Sequence, residues 1–305
     1  MKKKRSDFKF GKLIGEGSFS SVYLTKEIST GSEFAIKVLE KVHILREKKQ
    51  KYVMREKEAL LKIDHPFFIK LHFTFQDEDR LYFGLNYARN GELLDHIKRL
   101  GNFDLSTSRY YTAEIVLALE YLHSINIIHR DLKPENILLN DGMHIQITDF
   151  GSARILTAED LDENFNNLQL NSNEQRTRRH SFVGTAQYVS PEVLNSNISC
   201  FSSDLWALGC MLFQFLTGNH AFSGNHEYQI FQKVIKLEYK IPDEFDESAR
   251  DLVEKLLVLD RSKRLGCREM GGYSVLKSHK FFGDLEWNNL INAVPPLHPP
   301  DNKNK

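Results

Sequence analysis

From Phe8 to about Leu85 apolar and polar residues alternate in short runs, Phe8–Ile14, Val22–Thr25, Glu33–Leu39, Lys70–Gln76 and Leu81–Leu85, divided by Gly, Ser and acidic turns. A period of two sends successive side chains to opposite faces, so these runs predict strands of a mainly antiparallel sheet. One helix interrupts them. Over Tyr52–Ile63 the residues Val53, Glu56, Leu60 and Ile63 recur at helical spacing and share a face, which places a carboxylate on an apolar stripe. After Gly91 the period lengthens, and Glu92–Arg99, Ser106–His123, Ser203–Thr217, Tyr228–Lys236 and Ser248–Leu257 read as helices around a loop-rich stretch from His129 to Glu192. A strand-rich part followed by a helix-rich part predicts an α+β chain of two lobes with a site between them and a boundary near 86–90. No internal repeat is found. The segment 158–179, rich in Asn and then basic, reads as a loop insertion, and the Pro-rich tail after Val294 is expected to run extended.

Composition narrows the function classes. The 305 residues suffice for a full hydrophobic core, and 41% hydrophobic with 27% charged residues is ordinary for a folded globular protein. With 41 Lys+Arg against 41 Asp+Glu there is no global basic field to attract nucleic acid or a membrane surface. Cys200, Cys210 and Cys267 are odd in number and widely spaced, so neither a disulfide framework nor a zinc cluster is expected. The longest apolar run, Leu205–Leu216, is too short to span a bilayer, and Met1–Arg5 leads into no apolar signal region. A cytoplasmic or nuclear protein is expected.

Three constellations carry chemistry. Gly15, Gly17, Ser18, Phe19, Ser20 and Val22 form a glycine-rich turn between strands, which reads either as an ordinary hairpin or as a loop whose amides approach phosphate oxygens. A dinucleotide fingerprint is excluded because Val22–Leu24 continues as strand where a helix should begin. Lys37 ends the apolar stretch Phe34–Ile36, and such a lysine either snorkels to solvent or meets a buried carboxylate. Glu56, costly to desolvate without a cation, is the candidate partner. The third constellation is His129-Arg130-Asp131-Leu132-Lys133-Pro134-Glu135-Asn136, followed by Asp149-Phe150-Gly151. Asp131 suits a base, and Asn136 and Asp149 supply oxygen ligands of the kind Mg2+ takes together with phosphate. Ser190-Pro191-Glu192, Asp204-Leu205-Trp206-Ala207-Leu208-Gly209 and Arg264 fit a buried scaffold in which Glu192 pairs with Arg264.

At these residues the sequence resembles the eukaryotic protein kinases over about 8–290. The resemblance implies a bilobal protein-kinase fold, with a small antiparallel β-rich N-lobe (8–85) holding one regulatory helix, a hinge (86–90) and a larger, mainly helical C-lobe (91–290). The activation segment would be 149–192, flanked by a basic start (1–7) and a tail (291–305). It implies ATP and Mg2+ as cofactors. Lys37 would hold the α and β phosphates and pair with Glu56. Asp131 would act as base, Lys133 would stabilise the transferred phosphoryl, and Asn136 and Asp149 would hold the metal. Leu13, Ala35, Leu138 and Glu135 would complete the nucleotide site. Asn86, Tyr87 and Ala88 would read adenine, with Leu85 as gatekeeper and Glu92 near the ribose. The form Asp131-Leu132-Lys133-Pro134-Glu135-Asn136 favours Ser/Thr over Tyr substrates. Ser20 and Ser190 depart from the usual Gly and Ala.

The blocks Asp64–Phe68, Leu71–Gln76, Leu81–Gly84 and Ser181–Glu192 resemble most closely the 3-phosphoinositide-dependent kinases of the AGC group. That resemblance implies activity on the activation loops of other AGC kinases and self-activation by phosphorylation at Ser181, with Arg130, Arg154 and Arg55 anchoring the phosphate. It also implies docking of a hydrophobic, phosphorylated substrate motif on the small lobe. Lys41, Ile44, Leu45, Val53, Leu81 and Phe83 would form the wall, with Lys57, Thr74 and Gln76 near a phosphate. Gln50 and Met54 depart from the family there, and the same residues would also serve simply to pack helix on sheet. The expected partners are protein substrates, not nucleic acid. A mostly monomeric state is expected, with transient dimers for autophosphorylation, and membrane recruitment only through a lipid-binding module that this sequence does not contain. The alternatives are an AGC kinase with other substrates, or a nucleotide-binding pseudokinase acting as a scaffold.

Overall fold

A computed structural model describes residues 3–17, 20–157, 160, 186–196 and 198–299. Five strands form one antiparallel sheet in the order β1-β2-β3-β5-β4: β1 Phe8–Gly17, β2 Ser20–Glu27, β3 Glu33–Glu40, β4 Leu71–Gln76 and β5 Arg80–Leu85. All five runs of alternating residues are strands, and each extends by one to three residues at one or both ends or shortens by one. Alternation determines which residues meet. Ile36, Val38, Phe75 and Tyr82 face outward into a buried aromatic cluster with Phe8, where the Phe75 and Tyr82 rings stack at 4.4 Å. Gly84 is required beneath that cluster, because a Cβ there would stand 2.1 Å from the Phe73 ring.

The opposite face carries Val22, Lys37 and Phe83, which lie side by side because Val22 pairs with Lys37 and Lys37 with Phe83. Helix α2, Gln50–Lys62, covers this face and buries Val53, Glu56, Ala59 and Leu60. The expectation of a single helix here needs correction: a short helix α1, Lys41–Arg46, precedes α2 and buries Ile44. Six residues with one buried side chain are too few to show a helical period in sequence.

The remaining helices are α3 Leu93–Leu100, α4 Leu105–Ser124, α5 Pro191–Ser196, α6 Phe201–Thr217, α7 Glu227–Lys236, α8 Glu247–Leu256 and α9 Gly272–Lys277. Helix α6 is buried almost all round, which is why its sequence is apolar without amphipathic contrast. Asp104 caps α4 by accepting from the Thr107 amide, and Asp246 caps α8 by accepting from the Ser248 and Ala249 amides. The stretch read as loops holds three short strands, β7 Ile137–Leu139, β8 Ile145–Ile147 and β9 Arg154–Ile155, and with β6 Ile127–Ile128 just before it they pair as two small antiparallel ladders. Residues 294–299 form no helix or strand, as the prolines predict. Among the described residues no helix is long and apolar enough to cross a membrane.

The scaffold pair is present. Arg264, fully buried, donates to both carboxylate oxygens of Glu192 at 2.9 and 3.0 Å and also to the Val258 and Ser202 carbonyls. Burial works against the Glu192 charge, but the Arg264 guanidinium holds its carboxyl below the usual range.

Candidate active site

The cleft is built from sheet, helix and loop residues far apart in sequence. On β3, Lys37 reaches across to Glu56 of α2, Nζ to Oε1 2.6 Å. Burial works against both charges. For Lys37, Glu56 and Asp149 overcome it and hold the ammonium above the ordinary lysine value. For Glu56, burial pushes the carboxyl up, and Lys37 is the cation that opposes this. Helix α2 also packs on the turn Phe150–Ser152, so the strand lysine, the helix carboxylate and Asp149 are held as one unit.

Asp149 stands in the left-handed region, φ 63°, and accepts from the Gly151 amide. Burial pushes its carboxyl up, but Lys37, His129, the Gly151 amide and Lys133 together hold it below the usual range, so it is an anion facing the cleft. Phe150, fully buried, fixes that turn against Phe68 and His129, with ring centroids 6.0 and 5.0 Å away.

Asp131 lies on the loop between β6 and β7. The Asn136 side-chain amide donates to the Asp131 carbonyl at 2.7 Å and to its carboxylate at 3.2 Å, and Lys133 stands 3.3 Å from the same carboxylate. Burial raises the Asp131 pKa, with Lys133 opposing and Asp149 adding to it. A carboxylate of raised affinity for protons is suited to accept one. Because Asn136 uses its NH2 group on Asp131, its side-chain oxygen and the Asp149 carboxylate are the oxygen donors that could hold a metal. Among the described residues no cluster of three or more His, Cys, Asp or Glu gathers as a metal cage. Two oxygen donors without a cage fit a hard cation that completes its shell with phosphate and water.

The other expected nucleotide-site residues lie on the sheet, at the crossing between the lobes and on the loop after β6, except for two outside the described residues. Gly15 pairs with Val22 and Ala35 with Leu85 across the sheet, and Leu13 is exposed on β1. Ser20 opens β2, while Ser18 and Phe19 lie outside the described residues. At the crossing between the lobes, Asn86 receives the Lys70 amide at 2.6 Å and donates to Gln146; Tyr87 is half-buried and Ala88 buried. Glu92 bridges to Leu138, which places β7 beneath the cleft. Burial, with Asp95 and Glu135 nearby, raises the Glu92 carboxyl.

Arg55, Arg130 and Arg154 line one cavity of about 540 Å³ together with Lys51, Lys62 and Glu58. One refinement is needed: Arg154 is already engaged, donating to Asp160 at 2.8 Å. Ser181 and most of 158–179 lie outside the described residues. Of the docking residues, Ile44, Val53 and Phe83 are buried in the main core and Leu45 is 61% exposed. Thr74 pairs with Phe83 and Gln76 with Leu81 on the same sheet face, while Lys57 is half-buried on α2. Lys41 donates to the Asp77 carbonyl at 2.6 Å. Sequence reasoning missed the buried contacts of His123 with Asp204 and with Tyr273. Residues 81 and 150 positions apart carry no local signal of their meeting.

Comparison with known proteins agrees with this geometry. The chain matches the family described as protein kinase domain over residues 8–282. It is 58% identical over 295 residues to 3-phosphoinositide-dependent protein kinase 1 of Homo sapiens, covering 97% of this chain and 50% of that protein. It is 49% identical to serine/threonine-protein kinase ksg1 of Schizosaccharomyces pombe (96% and 48%) and 45% identical to 3-phosphoinositide-dependent protein kinase 1 of Arabidopsis thaliana (97% and 59%). The chain spans about half the length of 3-phosphoinositide-dependent protein kinase 1 from human, mouse and rat.

Proposed function

The chain belongs to the protein kinase family, in its AGC group beside 3-phosphoinositide-dependent protein kinase 1, and from that premise we propose that it transfers the γ-phosphoryl of ATP to Ser or Thr of activation loops of other AGC kinases. The observation that carries the reading is the convergence of the Lys37–Glu56 pair, the Asp149 anion and the Asp131–Lys133–Asn136 cluster on one cleft. A scaffold without catalysis would need none of these groups kept in register, which weighs against the pseudokinase alternative.

In this reading Lys37, oriented by Glu56, binds the α and β phosphates, and the amides of the glycine turn lie over them. Asp131 orients the substrate hydroxyl and takes its proton, a role suited to its raised pKa. Lys133, beside Asp131, offsets charge on the transferred group. A divalent cation, Mg2+ by the oxygen-only donors, would be held by Asn136 and Asp149 and would neutralise phosphate charge. Catalysis is then mostly positioning and electrostatics. Phosphorylation of Ser181 would add about two negative charges facing Arg55, Arg130 and Arg154, and Arg154 would have to leave Asp160 to take part. Exposed Leu45, half-buried Leu81 and half-buried Lys57 support docking of a phosphorylated hydrophobic motif. The lobe boundaries, hinge and activation segment follow the family pattern.

The test is phosphorylation of an AGC activation-loop peptide with and without a phosphorylated hydrophobic-motif extension, in wild type and Asp131→Asn. Transfer that requires Asp131 and rises with the extension supports both parts. Transfer indifferent to the extension removes the docking part, and no transfer after Ser181 phosphorylation removes the catalytic one.

A further inference from the structure

Three side chains outside the cleft form a hydrogen-bonded chain that ends on the loop bearing Asp131. Asp204, on α6 and 1% exposed, accepts the His129 amide on Oδ2 and the Arg130 amide on Oδ1, each at 2.9 Å. Those two bonds hold an unfavourable backbone, since Arg130, immediately before Asp131, has φ 71°. His123, buried on α4, meets the same Oδ2 through Nε2 at 3.0 Å. Its other nitrogen, Nδ1, lies 2.7 Å from the hydroxyl of Tyr273 on α9.

The proton positions follow from the partners. Burial pushes the Asp204 carboxyl up, but His123, His129 and the Arg130 amide hold it below the usual range, so Oδ2 is an acceptor and Nε2 must carry the hydrogen. Burial, with the Asp204 and Glu120 charges, raises the Tyr273 hydroxyl well above its ordinary value, so it keeps its proton and donates to Nδ1. The Phe201 ring, 4.5 Å from His123, closes the remaining side. Every lone pair and proton of the imidazole is then committed, and the carboxylate that receives two loop amides can turn only if this chain breaks.

We propose that Tyr273 is a positioning residue for phosphoryl transfer: its hydroxyl fixes His123 as the Nε2–H tautomer, which orients Asp204, which holds the His129 and Arg130 amides and with them Asp131. The proposal rests on the kinase reading for its catalytic consequence and on the hydrogen-bond geometry for the rest. Removing the hydroxyl leaves Nδ1 buried without its donor, free to exchange tautomers and release Oδ2. The loop would then sample arrangements in which Asp131 is displaced, and positioning losses fall on turnover more than on binding.

The experiment uses the full chain as wild type, Tyr273→Phe and, as control, Ser274→Ala, whose hydroxyl bonds the Gly271 carbonyl on the exposed side of the same helix. Turnover is counted per nucleotide-binding site, titrated with a non-hydrolysable ATP analogue, so partial unfolding does not count as slow catalysis. For Tyr273→Phe, kcat per site is expected to fall about threefold to tenfold with both KM values within about twofold, while Ser274→Ala matches wild type. Hydrogen exchange at the His129 and Arg130 amides should quicken in Tyr273→Phe alone. In wild type the His123 ¹⁵N resonances should report a protonated Nε2 and an unprotonated Nδ1. The opposite tautomer overturns the proposal whatever the variants do, as does unchanged kcat per site or unchanged exchange in Tyr273→Phe. Should wild type transfer no phosphoryl group, the kinase reading fails, and exchange and tautomer alone decide whether the chain holds the loop.

Discussion

Replacing Lys37 by Met removes one half of a buried ion pair and should leave a pH-dependent defect. At 2.6 Å and an effective dielectric constant of about 20, the Lys37–Glu56 attraction is about 6 kcal/mol. Burial consumes much of this, so the intact pair contributes little net stability. Removing the lysine leaves two carboxylates, Glu56 and Asp149, facing a site without its cation, and such a break costs about 3–5 kcal/mol. For a chain of this size that lowers the melting temperature by about 5–10 °C. Protonation offers an escape. Burial already raises the Glu56 carboxyl, and losing Lys37, which lowers it, raises it further. A group whose folded pKa exceeds its unfolded value stabilises below the unfolded pKa, and that contribution is lost as pH rises through the folded value. The Lys37→Met chain should therefore lose stability as pH rises above the ordinary carboxylate range, where wild type changes less. Lys37→Met combined with Glu56→Leu should recover much of the loss and flatten the profile. The assay is thermal unfolding followed by circular dichroism at pH 5, 6.5 and 8. A Lys37→Met chain within 1 °C of wild type at every pH, or a double variant no more stable than the single, would refute the reasoning.

Arg264→Lys keeps the charge but loses the two-pronged bond to Glu192 and the shared bonds to Val258 and Ser202, so it should destabilise by about 3 kcal/mol, read as a fall in melting temperature. Gly218, at φ 69° behind α6, has the Gly101 carbonyl 2.0 Å from where a Cβ would sit; Gly218→Ala should cost about 2–4 kcal/mol in urea titration. The kcat profile should fall on the acid side at a pH above the ordinary Asp value, because burial raises Asp131. Lys133→Met, by removing the cation that lowers it, should move that limb to higher pH as well as reduce the rate, and a limb that stays in place would argue against Asp131 as the titrating group.

Much of the molecule was legible in the order of residues, for reasons that can be named. The five strands show because one face of each alternates against a buried layer, and α4 and α6 because their apolar runs are too long for strands. Glu56 announced a partner because an isolated carboxylate on an apolar stripe is costly, and the nearest strand cation is 2.6 Å away in the fold. Glu192 and Arg264 likewise meet as charged residues in apolar surroundings must. The group near His129 is local: Asp131, Lys133 and Asn136 lie within six residues, so their spacing nearly determines their geometry.

Other features were decided by tertiary structure. Helix α1 and the strands β6 to β9 are too short to carry a period, and they form because neighbouring backbone accepts their hydrogen bonds. Arg154 reads in sequence as a cation free for phosphate, yet the chain turns Asp160 back onto it. That Ile44, Val53 and Phe83 are core residues while Leu45 is exposed depends on how α1 and α2 lie on the sheet. Tyr273, His123 and Asp204 are an unremarked tyrosine, a histidine in a helix and an aspartate in an apolar run until three helices pack. The residue types and local spacing set the available chemistry. Long-range packing determines which protons and charges face one another, because a hydrogen bond between residues far apart in sequence has no local pattern to announce it.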